Sequence, residues 1–488
     1  MEKYGIPQKF LPGKAYINGS WVAGKEGKTF EVRNPATGEL LAEVPDLGAA
    51  DAEEAIGVAY ETFQTWKETT AKERANILRR WGELLLTNQE HLAMLLTLEN
   101  GKPLYEAKAE VGSSASLFEW YSEEARRTYG DVVPTHNKKM RLVFVRQPVG
   151  VAGLITPWNF PAGMIARKAA AALAAGCTTV LKPAEDTPLS ALAMAKLGEE
   201  AGVPPGVFNI LPCSRANAPA IGKTFCESPL VAKISFTGST ATGKVLLQQA
   251  ASTVKKVSME LGGNAPFIVF NSANVDEAVR GAMTCKYRGS GQTCVCANRI
   301  LIQEGLYDEF CNKFAAEAKK LVVGDGMKEG VTQGPLINER GFEKVKRHVE
   351  DALQNGGKVL VGGKPHSLGR TFFEPTVISE VTNKAVVFEE ETFGPLAALV
   401  KFKTEEEAVV IANNSRHGLA GYFYSQDISQ AWRVAEKLEV GMVGINESLI
   451  SLDSIAFGGV KESGLGREGS KYGLDDYMEI KYICFGGI

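Results

Sequence analysis

Apolar and polar positions change rhythm several times along the chain. Tyr16-Ile17-Asn18-Gly19-Ser20-Trp21 sets an Asn-Gly turn between apolar residues, a strong short-range hairpin signal. The stretches Asp51–Lys67, Lys72–Thr97 and Leu104–Tyr129 then place apolar residues at helical spacing. From Asp131 to Pro148 that period is lost. Segments such as Leu142-Val143-Phe144-Val145 predict an extended excursion away from the helices.

After Val149 short strands and helices alternate. Strands are expected at Val151–Ile155, Thr178–Leu181, Val207–Leu211 and Val231–Phe236. Helices are expected at Pro161–Ala175, an alanine-rich run closed by Gly176, at Pro188–Ala201 and at Thr240–Ala251. Such alternation predicts a parallel sheet with helices on both faces, which binds ligands at the carboxyl ends of its strands. A second α/β series runs from about Ala265 to Asn446, with Leu261-Gly262-Gly263 as a hinge between the two lobes. The tail Tyr477–Phe485 is strand-like again and is expected to pair with the earlier excursion.

A chain of 488 residues is too long for one hydrophobic core and fits two large domains with small appendages. A net charge of −3 offers no global basic field for nucleic acid or an acidic membrane. No apolar run approaches the length of a membrane helix, and the N-terminal segment carries no signal core. The expectation is a cytoplasmic protein, with a mature mitochondrial-matrix chain as the alternative. The 8 cysteines are scattered without a CxxC, and the 5 histidines form no HExxH or HxxxH, so neither a disulfide scaffold nor a metal site is expected.

Candidate chemistry gathers at the predicted strand ends. Gly238, Ser239 and Gly243, in Phe236-Thr237-Gly238-Ser239-Thr240-Ala241-Thr242-Gly243-Lys244, stand between a strand and a helix, where backbone N–H groups can approach a pyrophosphate. The string nearly matches a P-loop, but Val245 replaces the magnesium-binding hydroxyl, which disfavours triphosphate hydrolysis. Lys182-Pro183-Ala184-Glu185 follows the second strand of the sheet, where Glu185 can accept from ribose hydroxyls and would repel a 2′-phosphate, favouring NAD over NADP. Cys294 lies in a small, polar loop that suits a thiol approached closely. Thiolate attack on an aldehyde needs an oxyanion donor and a base for the deacylating water, and Asn159 and Glu260 can supply them. Read singly, each also fits a structural part: a tight turn, a turn cap, a surface charge.

Taken together these motifs resemble the aldehyde dehydrogenase superfamily. Met259-Glu260-Leu261-Gly262-Gly263 precedes Gly291-Gln292-Thr293-Cys294-Val295-Cys296 so that Glu260 and Cys294 are 34 residues apart (294 − 260). Thr156–Pro161 with Asn159, Lys182–Glu185, Phe236–Thr240 and Glu390–Pro395 follow in that family's order. The resemblance spans nearly the whole chain. It implies a Rossmann-like cofactor domain (1–130 and 149–261), an α/β catalytic domain (262–474) and a small β oligomerisation extension (131–148 and 475–488). It assigns Cys294 as nucleophile, Glu260 as general base and Asn159 as oxyanion donor. Trp158, Glu391 and Phe393 join the residues that hold NAD, the latter two at the nicotinamide ribose and ring. A homodimer or homotetramer is implied.

Within the superfamily the chain is most similar to the succinate-semialdehyde dehydrogenases, on Leu117–Tyr121, Gly291–Asn298, Gly464–Gly473 and Glu479–Tyr482. That likeness places the substrate carboxylate against Arg167 and Arg288, whose planar forks suit it. Without it, an interdomain ion pair explains either arginine as well. Where the subfamily often carries two serines this chain reads Ser451-Leu452, so glutarate semialdehyde or a broader aliphatic aldehyde stays open. Cys296, two positions after Cys294, either packs beside the nucleophile or forms a reversible disulfide with it. A non-catalytic member of the fold would lack Cys294, Glu260 or Asn159. A phosphate- or CoA-using dehydrogenase is disfavoured by Glu260.

Overall fold

In the computed structural model, which describes residues 2–488, the alternation after Val149 closes into a sheet of eight strands. Val151–Ile155 pairs in parallel with Thr178–Lys182 on one side and Val231–Thr237 on the other. Phe208–Ile210 and Lys256–Glu260 continue the parallel run outward. Antiparallel pieces finish the edges, with Ala15–Ile17 and Ser20–Val22 at one and Gly464–Leu465 at the other. Val151–Ile155 and Thr178–Lys182 are buried at every position, as helices on both faces require.

The helix Pro161–Ala175 is buried at every residue except Gly163 and ends on Gly176 in the left-handed region, φ 96°. Its alanines let it lie close against Leu104–Glu124 and the sheet. Trp81 fixes this layer, with its ring 4.5 Å from Phe118 and 5.3 Å from Phe208. The hairpin at Tyr16–Trp21 forms with Asn18 and Gly19 both at positive φ, the geometry of a two-residue turn that matches strand twist.

The expected helical stretch Lys72–Thr97 is two helices, Ala71–Thr87 and Gln89–Asn100. Asn88 divides them by donating its side-chain amide to the Leu84 carbonyl, 2.8 Å, a local bond that competes with continuing the helix. The next helix stops at Glu124, short of Tyr129, and ends in a single tighter turn, Ala125–Arg127.

A second sheet of seven strands runs Lys358–Val361, Thr376–Ser379, Leu396–Phe402, Ala297–Gln303, Ala265–Val269, Ala420–Tyr424, Met442–Ile445, all parallel except at the Lys358–Val361 edge. Leu261-Gly262-Gly263 links the last parallel strand of the first sheet to the centre of the second. The chain later crosses back, because Gly464–Leu465 pairs with Met259 and Glu260. Residues up to 474 are therefore not confined to the second sheet. The tail strand Met478–Gly486 pairs antiparallel with Met140–Pro148 along its whole length, and Asp131–Val133 pairs with the other edge of Met140–Pro148. Among the described residues, no helix is long and apolar enough to cross a membrane.

Candidate active site

Four parallel strands of the first sheet deliver their carboxyl ends to one region. Val151–Ile155 leads to Trp158 and Asn159, Thr178–Lys182 to Glu185, Val231–Thr237 to Gly238 and Ser239, and Lys256–Glu260 ends on Glu260 itself. A cavity of about 450 Å³ opens there. Trp158, Glu185, Gly238 and Ser239 line it from the first lobe, and Glu391, Phe393 and Lys344 from the second. Ser239 caps the helix Thr240–Ala250 by accepting from the Thr242 N–H, 3.2 Å, so the helix start faces the cavity with its donors oriented. Phe393 holds a left-handed φ of 57° and meets the Trp158 ring edge-on at 5.5 Å. Glu391 accepts from the Gly263 N–H at 3.1 Å, and burial pushes its carboxyl up to about 7.

Not every predicted cofactor residue faces this space. Gly243 packs against Leu261, where a Cβ would lie 2.5 Å from a leucine methyl carbon. Lys182, Pro183 and Ala184 are buried just ahead of Glu185, with the Lys182 ammonium 3.4 Å from the Glu185 carboxylate.

A larger cavity of about 660 Å³ lies on the other side of Cys294, which lines both. The approach to Cys294 is a tight loop in which Gly289, Ser290 and Gly291 all take positive φ. A Cβ on Gly291 would sit 2.2 Å from the Gly394 carbonyl oxygen. Gln292 pins the loop by accepting from the Ile337 N–H, 3.0 Å. The Asn159 amide donates to the Gln292 carbonyl, 3.1 Å, which brings the predicted oxyanion donor to the nucleophile's loop. Burial, then Glu391 and Glu260, push the Cys294 thiol up to about 12, against the pull of Arg167.

In the larger cavity Arg167 donates from Nη2 to the Ser451 hydroxyl at 3.0 Å, and its guanidinium carbon lies 4.3 Å from the centre of the Phe457 ring. Its Nε and Nη1 are buried without a partner. Arg288, over the Phe160 ring at 5.7 Å, shares the cavity, as do Ser451 and Leu452. Burying a cation with two open donors is costly unless an anion meets them.

Glu260 lines neither cavity. It is buried beside Gly458, both carboxylate oxygens lack a hydrogen-bond partner, and burial together with the Glu468 charge raises its pKa well above the usual range. Behind it lies a buried ion pair that sequence reading missed, Lys168 with Glu468, tied to Ser235 at 3.2 and 3.3 Å. The signal was present: Arg167-Lys168 puts two charges into a helix with no polar face. Cys296 also lines neither cavity, and its thiol donates weakly to the carbonyls of Lys286 and Ala297 at 3.5 and 3.6 Å. All eight cysteines are free thiols.

A thiol at the junction of two cavities, one reaching the strand ends of a doubly wound sheet and one holding buried cations, defines a two-substrate enzyme. Residues 21–483 match the model of the aldehyde dehydrogenase family, and the chain belongs to that family. It is 58% identical over 479 residues to mitochondrial succinate-semialdehyde dehydrogenase of Rattus norvegicus, covering 98% of this chain and 91% of that protein. It is 53% identical to glutarate-semialdehyde dehydrogenase of Pseudomonas aeruginosa, over 98% of this chain and 99% of that one. The crystal structure of succinate-semialdehyde dehydrogenase from Burkholderia pseudomallei superposes with a TM-score of 0.96 at 55% identity, over 97% and 98% of the two chains. The Rossmann-like and catalytic lobes are thus those of the aldehyde dehydrogenase fold.

Proposed function

We propose that the chain oxidises succinate semialdehyde to succinate with NAD. The observation that carries the reading is the pair of open, buried donors on Arg167, in the cavity that ends on Cys294. Arg167, Arg288 and Ser451 bind the substrate carboxylate, which presents the aldehyde carbon to the thiolate. The Asn159 amide, with backbone N–H groups of the loop, stabilises the oxyanion of the thiohemiacetal. The residues around the smaller cavity fit a dinucleotide: oriented donors at Ser239, a carboxylate at Glu185 for ribose hydroxyls, and Glu391 and Phe393 at the end nearest Cys294. NAD bound there supplies the hydride acceptor that turns the thiohemiacetal into a thioester. Glu185 sets the preference against NADP by repelling a 2′-phosphate.

Glu260 then takes a proton from the water that cleaves the thioester. Its raised pKa makes it a stronger base than an ordinary carboxylate, and no hydrogen bond holds its carboxylate away from Cys294. Cys296 can close a disulfide with Cys294 under hydrogen peroxide. The two thiols lose two electrons and two protons, and the peroxide is reduced to water. For this the Cys296 thiol must leave the Lys286 and Ala297 carbonyls. The strands 131–148 and 478–486, with Val132, Ile480 and Tyr482 exposed, support assembly into a homodimer or homotetramer. The cytoplasmic and mitochondrial-matrix placements both remain compatible with this activity.

The test is NADH formation from succinate semialdehyde with wild type and Cys294→Ser. Turnover retained in the variant would sink the mechanism. A second reading, glutarate semialdehyde, rests on Leu452, which lines the cavity in place of a hydroxyl that would help bind the carboxylate, and a higher kcat/KM on the five-carbon substrate would establish it.

A further inference from the structure

The segment that carries the oxyanion donor is gripped from outside its own lobe's sheet. Trp158, Asn159, Ala162 and Gly163 each have a backbone group bonded to a side chain from the stretch between Asn100 and Glu110. The Asn100 amide donates to the Trp158 carbonyl, 2.8 Å. The Lys102 ammonium donates to the Asn159 carbonyl at 2.7 Å and lies 4.2 Å from the centre of the Phe160 ring. The Glu110 carboxylate accepts from the N–H groups of Ala162 and Gly163, at 2.9 and 3.1 Å, with one oxygen. With the other it accepts from Lys102, 2.5 Å. Both charged side chains are almost fully buried, at 4% and 3% exposure.

Lys102 and Glu110 satisfy each other, and each also satisfies backbone groups around Phe160. Glu110, from the helix Leu104–Glu124, sits against the first turn of the helix Pro161–Ala175, where a carboxylate is stabilised by the free N–H groups. That helix carries Arg167. Stability alone does not call for such a device, because apolar residues of similar volume often replace a buried ion pair without loss.

We propose that Lys102 and Glu110 are positioning residues for the oxyanion site: they fix the Asn159 backbone so that its amide meets the substrate oxygen. This rests on Asn159 being the oxyanion donor. A shift of about 1 Å in such a donor can cost about 100-fold in rate.

The experiment is a double-mutant cycle on the full-length enzyme, with Lys102→Met, Lys102→Arg, Asn159→Ala and Lys102→Met/Asn159→Ala. Lys102→Met is expected to lower kcat about 10- to 100-fold, with KM for the aldehyde and binding of NAD within about twofold. Lys102→Arg, which keeps a donor to the Asn159 carbonyl, is expected to recover most of the rate. In the Asn159→Ala background, Lys102→Met should cost almost nothing more.

Full additivity of the two losses overturns the proposal while leaving Asn159 as donor. An Asn159→Ala enzyme with wild-type kcat overturns the reading of Asn159 itself. A raised KM for the anionic aldehyde alone makes Lys102 a substrate ligand and also overturns the proposal. If Lys102→Met does not fold, the paired apolar variant Lys102→Met/Glu110→Met removes both charges together. It is expected to fold and show the same kcat loss, and wild-type kcat in it overturns the proposal.

Discussion

Gly263 runs so close to Cys294 that a Cβ on the glycine would lie 2.4 Å from the cysteine's carbonyl oxygen. The link between the two sheets is thus also the floor beneath the proposed nucleophile. The same glycine donates its N–H to Glu391. Gly263→Ala must push the Cys294 backbone away and is expected to lower kcat by about 100-fold. Thermal unfolding should show a folded variant, and near-wild-type turnover would show that the loop can yield.

The unpaired donors of Arg167 predict a charge-selective loss. Arg167→Ala should lower kcat/KM on succinate semialdehyde by about 100-fold and on an uncharged aldehyde of similar length by only a few-fold. Ser451→Ala, which removes one neutral contact, should cost about 10-fold or less on the anionic substrate. Equal losses on charged and uncharged aldehydes would argue for a structural arginine.

Burial holds the Cys294 thiol up to about 12 and the Glu260 carboxyl well above its ordinary value. In the proposed mechanism both react in their deprotonated forms, so kcat/KM is expected to rise with pH from neutral into the alkaline range. Glu260→Gln should give a burst of NADH followed by slow turnover, because acylation proceeds and hydrolysis stalls. Stability runs the other way. The folded thiol keeps its proton between its ordinary value of 9.0 and about 12, so the Cys294 contribution falls as pH rises through that window. Cys294→Ser should flatten that limb of a thermal-unfolding pH series.

Peroxide separates the two roles open to Cys296. Wild type should lose activity and regain it with dithiothreitol, whereas Cys296→Ser should lose it without recovery as Cys294 oxidises further. Identical inactivation and rescue in both proteins would leave Cys296 a packing residue.

Much of this was legible in the residue order, for identifiable reasons. Strand–helix alternation is a short-range signal, so the parallel strands around Val151–Ile155 and the helix closed by Gly176 appear where the pattern puts them. The break at Asn88 escaped because the apolar spacing continues across it, and a single side-chain bond to Leu84 decides it. Motifs located Cys294, Asn159 and Arg167 beside cavities, yet could not show that Gly243 turns to Leu261 or that Glu260 sits outside both. Such orientations depend on neighbours remote in sequence. Lys168 and Glu468, 300 residues apart, became a pair only in three dimensions.

That separation has a consequence for how the protein is made. Lys168 is made early in synthesis, but its counter-ion Glu468 follows 300 residues later, together with the edge strand Gly464–Leu465 and the partner of Met140–Pro148. Until then the nascent first lobe carries an uncompensated buried cation and two open sheet edges. A chain cut short before this segment therefore lacks both the counter-ion of Lys168 and the strand that covers Met259 and Glu260.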